Sequence, residues 1–136
     1  MAVALDASMM LSWYFEDERG STNHLLERVG TDRAVVPAHW LAEVTNGVLM
    51  GERRNRASPA RVPLLAELLD IVGPEVDHEG ATQTVERILP LARAHRLTIY
   101  DAIYLELAER RALPLATLDQ DLAIAARSVG VEVMSV

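Results

Sequence analysis

Four carboxylates stand where an acid needs a reason: Asp6, Glu43, Asp101 and Asp119. Asp6 ends the apolar run Val3–Leu5 with no Gly or Pro turn signal beside it. Glu43 falls within the apolar stretch Trp40 to Val44, where an unpaired carboxylate is costly. Four ionised carboxylates cannot share a small volume unless a cation sits among them. The chain has no cysteine, and none of His24, His39, His78 and His95 is paired at metal-ligand spacing. A hard, all-oxygen site suits Mg²⁺ or Mn²⁺ better than zinc. Two of the acids also have simpler readings. Thr98 and Asp101 form a capping-box pattern, Asp119 is placed as an N-cap, and Asp121 beside it is placed as a partner for the helix dipole. Singly, those readings are favoured; the combination of all four shifts the balance towards a site.

The elements that must position these acids follow from the apolar pattern. Val3–Leu5 reads as a buried strand, Ser8 as the N-cap of a short helix over Met9–Phe15, and Ser21 to Val29 as a second helix. Ala34–Val36 is a second buried strand, closed by Pro37. From Ala38 the residues Trp40, Leu41, Val44, Val48 and Leu49 keep helical spacing, which puts Glu43 about two turns in. Ser58-Pro59 restarts a helix that ends at Gly73-Pro74, with Pro63 leaving its start open. Glu75–Asp77 is a short edge strand, and 81–94 is helical with a kink or break at Pro90. Thr98 to Leu113 is the clearest helix, Pro114–Thr117 a strand, Asp119 to Val129 a helix stopped by Gly130, and Val131–Met134 a last strand. Alternating strands and helices with short connections predict one three-layer α/β/α domain, residues 1–136, around a mainly parallel sheet of about five short strands. If the first and fourth strands are neighbours, the acids converge beyond their C-terminal ends, where such sheets bind ligands.

Composition narrows the classes. A chain of 136 residues, half hydrophobic and 24% charged, packs a core. The net charge of −7 argues against a general nucleic-acid coat but allows a local patch. All thirteen basic residues are arginine. The absence of lysine removes a P-loop and the lysine-dependent phosphoaspartate phosphatases and receiver domains. Neither a signal peptide nor a membrane span is read, and a cytoplasmic protein is expected. Arg53, Arg54 and Arg56 form the dense basic cluster, either a solvated helix end or a grip on phosphate. Two Trp, three Tyr and one Phe are too few for a base-stacking platform. Met9, Met10, Leu11, Trp13, Tyr14 and Phe15 exceed what one short helix exposes; core, a homodimer seam and a partner groove all remain open.

Four blocks, in order, carry a resemblance: Leu5-Asp6-Ala7-Ser8; Pro37-Ala38-His39-Trp40-Leu41-Ala42-Glu43-Val44-Thr45-Asn46; Tyr100-Asp101-Ala102-Ile103-Tyr104-Leu105-Glu106-Leu107-Ala108; and Ala116-Thr117-Leu118-Asp119. Together they resemble the PIN-domain ribonucleases, and at this length the VapC-type toxins of toxin–antitoxin pairs. The resemblance implies an endoribonuclease with Asp6, Glu43, Asp101 and Asp119 around Mg²⁺ or Mn²⁺. It also implies that Thr117, Asn46 and Ser8 support the metal shell or its waters. It further implies an RNA substrate, a homodimer, and a small VapB-like antitoxin whose tail covers the site with a basic side chain. The alternative is a PIN-like scaffold module without nuclease activity. His39, in a slot often apolar in the family, and Asp121 beside Asp119 depart from the pattern.

Overall fold

In the computed structural model, which describes residues 1–15 and 19–134, five parallel strands run in the order β3-β2-β1-β4-β5. β1 (Ala2–Leu5) lies between β2 (Arg33–Pro37) and β4 (Leu115–Ala116), with β3 (Glu75–Asp77) and β5 (Val133–Met134) at the edges. Apart from the exposed Arg33 that opens β2, the central strands are apolar because helices cover both faces: Val3, Ala4, Leu5, Ala34, Val35, Leu115 and Ala116 are all buried. One layer holds α1 (Ala7–Tyr14), α2 (Arg19–Thr31), α3 (Trp40–Arg53) and α4 (Val62–Val72). The other holds α5 (Leu89–His95), α6 (Ile99–Arg111) and α7 (Gln120–Ser128), with α6 against β1, β2 and β4. This is the expected three-layer α/β/α arrangement.

Local chemistry accounts for the boundaries. Ser58 caps a short 3₁₀ turn over Pro59–Arg61 by accepting from the Ala60 N–H (3.2 Å). Pro63 then sits in the first turn of α4, where its missing N–H costs nothing. Gly73, at φ 51°, ends α4 in the left-handed conformation that suits glycine. Pro90 divides the helical stretch before β4: a 3₁₀ turn and a π turn precede it, and α5 begins around it. Two expectations are corrected. Asp6, not Ser8, is the N-cap residue of α1, since the helix already begins at Ala7. α3 begins at Trp40 rather than Ala38, which places Glu43 in its first turn and not two turns in. The apolar cluster of α1 is almost entirely core: Met9, Met10, Trp13 and Tyr14 are fully buried, Phe15 nearly so, and Leu11 half-buried.

Buried charge at the far end of α6 is balanced. Arg110 donates to Asp77 through Nη1 (3.1 Å) and Nη2 (2.7 Å), to Glu106 through Nε (2.6 Å), and to Glu79 through Nη1 (3.0 Å). The cluster ties α6 to β3 and the turn after it. Burial pulls the Asp77 carboxyl up, but hydrogen bonds from Arg110 and the Gly80 N–H, with the Arg110 and Arg111 charges, hold it below its ordinary value. Its stabilising contribution is therefore complete above the unfolded carboxylate range and lost as pH falls through the depressed folded value. Arg110→Met leaves Asp77 and Glu106 buried without that partner. It should lower stability by about 3–5 kcal/mol at pH 7 in urea denaturation, with the gap to wild type narrowing below about pH 4. A loss within 1 kcal/mol of zero would show that the cluster does not hold β3 to α6.

Candidate active site at the carboxyl edge of the sheet

Sheet order reverses between β1 and β4, so a crevice opens beyond their C-terminal ends. Helices start at that edge, and all four acids sit at helix N-termini. Asp6 is the N-cap residue of α1 and Asp119 that of α7, while Glu43 and Asp101 lie in the first turns of α3 and α6. Helix dipoles favour negative charge at those positions. Capping and convergence are thus one geometry here: the caps are how the fold gathers the acids.

Asp6 is buried, and its backbone N–H donates to the Ala116 carbonyl of β4 (3.0 Å). Its Oδ2 accepts from Ser8 Oγ and from Thr117 Oγ1, both at 2.6 Å. The same hydroxyls accept in turn: Ser8 from the Leu118 N–H and Thr117 from the Asp119 N–H, each at 3.0 Å. Thr117 therefore joins the first acid to the backbone of the fourth. Asp119 Oδ1 accepts from the Leu122 N–H (2.9 Å). The Asp101 N–H donates to Thr98 Oγ1 (3.2 Å), as the capping pattern anticipated. Glu43 Oε1 accepts from the Tyr104 hydroxyl (2.6 Å) and lies 3.4 Å from His39 Nε2.

Electrostatics registers the convergence. The Asp101 carboxyl is pushed up to about 6, first by burial and then by the charges of Asp119, Asp6 and Glu43, with Thr98 opposing. Burial also raises Asp6; hydrogen bonds from Ser8 and Thr117 work against it, and the charges of Glu43 and Asp119 reinforce it. Burial raises Glu43 as well, but the His39 ring 3.4 Å away and the hydrogen bond from Tyr104 outweigh it, and its carboxyl lies below the ordinary value. Burial and the Asp6 and Glu43 charges raise Tyr104 above the ordinary tyrosine value, so its hydroxyl remains a donor.

Among the described residues, no three His, Asp or Glu side chains are arranged to hold a metal ion. What fits a hard divalent cation is the chemistry of the donors, carboxylates and hydroxyls, two of the acids being raised by burial and then by their neighbours' charge. Of the supporting residues expected from sequence, Ser8 and Thr117 bond to Asp6. Asn46 is exposed on α3 and makes no hydrogen bond among the described residues, so it is not part of this network. Asp121 is exposed in the first turn of α7. Tyr104 and His39 were not anticipated as partners of Glu43. The signals were present: His39 precedes Glu43 by four residues, and Tyr104 follows Asp101 by three.

A groove of about 310 Å³ runs from Ser8, Leu118 and Asp119 along Leu11 and Phe15 to Arg54 and Arg56. Arg53, Arg54 and Arg56 are all exposed, and Arg56 lies over the Phe15 ring at 4.1 Å. Gly47 and Gly51 let α3 approach α1: a Cβ at Gly47 would stand 2.4 Å from Leu11 Cδ1, and one at Gly51 2.4 Å from the Phe15 ring.

Residues 3–128 match the PIN domain family. The chain belongs to that family. Solved structures with this PIN fold include PAE2754 from Pyrobaculum aerophilum, 20% identical, with a TM-score of 0.70 over 95% of this chain and 86% of that one. VapC20 from Mycobacterium tuberculosis, a sarcin-ricin loop cleaving toxin, is 14% identical at TM-score 0.68, covering 98% and 99%. VapBC2 from Rickettsia felis, bound to a DNA fragment from its promoter, is 16% identical at 0.63, covering 98% of each chain. No curated protein matches the chain by sequence.

Two outcomes test this PIN site without a substrate. The folded pKa of Asp101 exceeds the unfolded value, so its contribution to stability is full below the unfolded carboxylate range and lost as pH rises through about 6. Asp101→Asn should melt higher than wild type at pH 7 in EDTA, the difference vanishing near pH 4; a variant that melts lower at both pH values would mean that the charges do not interact. In the groove wall, Gly51→Ala drives a methyl into a buried aromatic ring, whereas Gly47→Ala meets the mobile end of a half-buried leucine. Helix propensity returns about 1 kcal/mol to either variant, against about 1–3 kcal/mol for overpacking. Gly47→Ala should therefore be near neutral and Gly51→Ala destabilising, as read by denaturant midpoints; equal midpoints would contradict the close packing of α1 on α3.

Proposed function

We propose that this PIN domain is a Mg²⁺- or Mn²⁺-dependent endoribonuclease, the toxin of a toxin–antitoxin pair, working in the cytoplasm. The observation that carries the reading is the placement of Asp6, Glu43, Asp101 and Asp119 at four helix N-termini along one sheet edge, where the other three charges add to burial in raising Asp101. Asp6, Glu43, Asp101 and Asp119 would hold the cation, with Ser8 and Thr117 fixing Asp6 for that role. A bound divalent cation supplies neutralisation of charge developing on the phosphate and makes water more acidic. The chain itself orients the carboxylates and, through Arg54 and Arg56 at the far end of the groove, draws the RNA backbone towards them.

The fold shared with VapC20, a sarcin-ricin loop cleaving toxin, and with VapBC2 supports the class of activity and the existence of an antitoxin partner. An antitoxin segment with apolar residues for Leu11 and Phe15 and a basic side chain for the carboxylates would cover this groove. A homodimer fits the exposed Leu41 and Leu49 on α3. Among the described residues no helix is long and apolar enough to cross a membrane.

Purified protein should cut ribosomal RNA or tRNA in Mn²⁺ or Mg²⁺ and leave it intact in EDTA. Asp6→Asn and Asp101→Asn should abolish cleavage; activity that survives EDTA or both substitutions would sink the mechanism, and no cleavage by the wild type would leave a scaffold module. Replacing Arg53, Arg54 and Arg56 together by Ala should weaken RNA binding and flatten its log–log salt dependence by roughly 0.7 per lost phosphate contact. An unaltered salt slope would return the cluster to a solvated helix end.

A further inference from the structure

Glu43 differs from the other three acids in how it is held. Asp6 is fixed by short hydroxyl bonds in the same corner of the sheet, and Asp101 and Asp119 project from capped helix starts. Glu43 has the longest side chain of the four, is half-buried, and would swing away from its neighbours' charge if left alone. One of its oxygens is engaged. Oε1 accepts from Tyr104 at 2.6 Å and faces His39 Nε2 at 3.4 Å, and no such partner meets Oε2 among the described residues. The Tyr104 hydroxyl also accepts from the Ala7 N–H (3.4 Å), the residue after Asp6. Tyr104 is fully buried and lies three residues after Asp101 on α6, so one helix carries an acid and the group that orients another. His39 is braced in turn, with its ring centroid 5.6 Å from that of Tyr100 and 5.4 Å from that of Tyr104.

We infer that Tyr104, seconded by His39, is a positioning residue that clamps Glu43 by Oε1 and reserves Oε2 for a divalent cation. The inference rests on the proposed nuclease reading and deepens it. Towards Glu43 the hydroxyl acts as a donor. It costs nothing at the moment of binding because the fold has already placed it through the buried ring and the Ala7 N–H. Without it, Glu43 must be drawn back against the repulsion of Asp6, Asp101 and Asp119 each time a cation enters. That is the kind of outer partner whose loss weakens metal binding without touching the metal.

Titration of Mn²⁺ into the whole protein, followed by the free-ion electron paramagnetic resonance signal, tests the clamp apart from activity. Tyr104→Phe keeps the ring in the core and should weaken Mn²⁺ binding by about 10–100-fold. In RNA cleavage kcat should fall while KM for the RNA holds. In a Glu43→Gln background the same substitution should bring no further loss, since its effect passes through Glu43. His39→Phe, which keeps the ring contacts, should act in the same direction more weakly, and it carries the test if Tyr104→Phe fails to fold. Wild-type Mn²⁺ affinity in the folded variants, or an equal loss in the Glu43→Gln background, would overturn the clamp alone. Failure of the wild type to bind Mn²⁺ would overturn the nuclease reading and the clamp with it.

Discussion

Burial first, and then the charges of Asp119, Asp6 and Glu43, push the Asp101 carboxyl up to about 6. That crowding of like charge is the constraint to which the rest of the architecture answers. A parallel sheet with its strand order reversing between β1 and β4 sends α1, α3, α6 and α7 away from one edge, so four helix N-termini meet there. Each carries an acid. Helix dipoles and hydroxyl donors offset part of the repulsion, and a cation would offset more than either. The cost appears in the raised Asp6 and Asp101 carboxyls, and strained electrostatics of this kind marks sites that bind or react.

α6 shows both ways of treating buried charge. At its start, Asp101 meets the charges of three acids with only the Thr98 hydroxyl to oppose them. Towards its end, Glu106 is nearly inaccessible yet sits on Arg110, which also holds Asp77 through two nitrogens. The balanced cluster locks the edge strand β3 to the helix. Since breaking such a pair strands a buried charge, the anchor is stiff. A helix fixed at that end and buried along Tyr104, Leu105, Leu107 and Ala108 presents Asp101 and Tyr104 to the crevice with little freedom. Stability is invested in one half of the helix and withheld in the other, where function would draw on it.

Much of this was legible in the sequence, for reasons particular residues make plain. Strands β1 and β2 are built on short apolar runs, Val3–Leu5 and Ala34–Val36, and a doubly covered sheet demands that pattern. Gly73 and Gly130 mark helix ends because both take positive φ. The end of α6 was less exact, as Ala112 adopts the left-handed cap at φ 53° where no glycine announces it. The start of α3 shifted to Trp40 because His39 is the N-cap residue without a side-chain cap, so no Ser, Thr, Asp or Asn marks the turn. Asp6 and Glu43 stand out because each interrupts an apolar context, whereas Asp101 and Asp119 fit ordinary capping positions and gain weight only in combination with them. Their partners were harder to see. Tyr104 reads as one more apolar residue of a buried helix, and only the packing of α6 against the α1 and α3 starts reveals its hydroxyl between Glu43 and Ala7. Asn46, in the same block as Glu43, is exposed because α3 turns that face outward.

Carbon-13 NMR titration of the aspartate carboxyls in metal-free protein tests the central claim, that the four charges share one crevice, most directly. The account predicts an Asp101 midpoint near the value of about 6, displaced downward when Asp119→Asn removes the largest of the neighbouring charges. It also predicts that Asp101 loses its proton at lower pH when Mn²⁺ or, without paramagnetic broadening, Mg²⁺ is added. An Asp101 midpoint in the ordinary carboxylate range of about 4, indifferent to Asp119→Asn and to Mg²⁺, would contradict it.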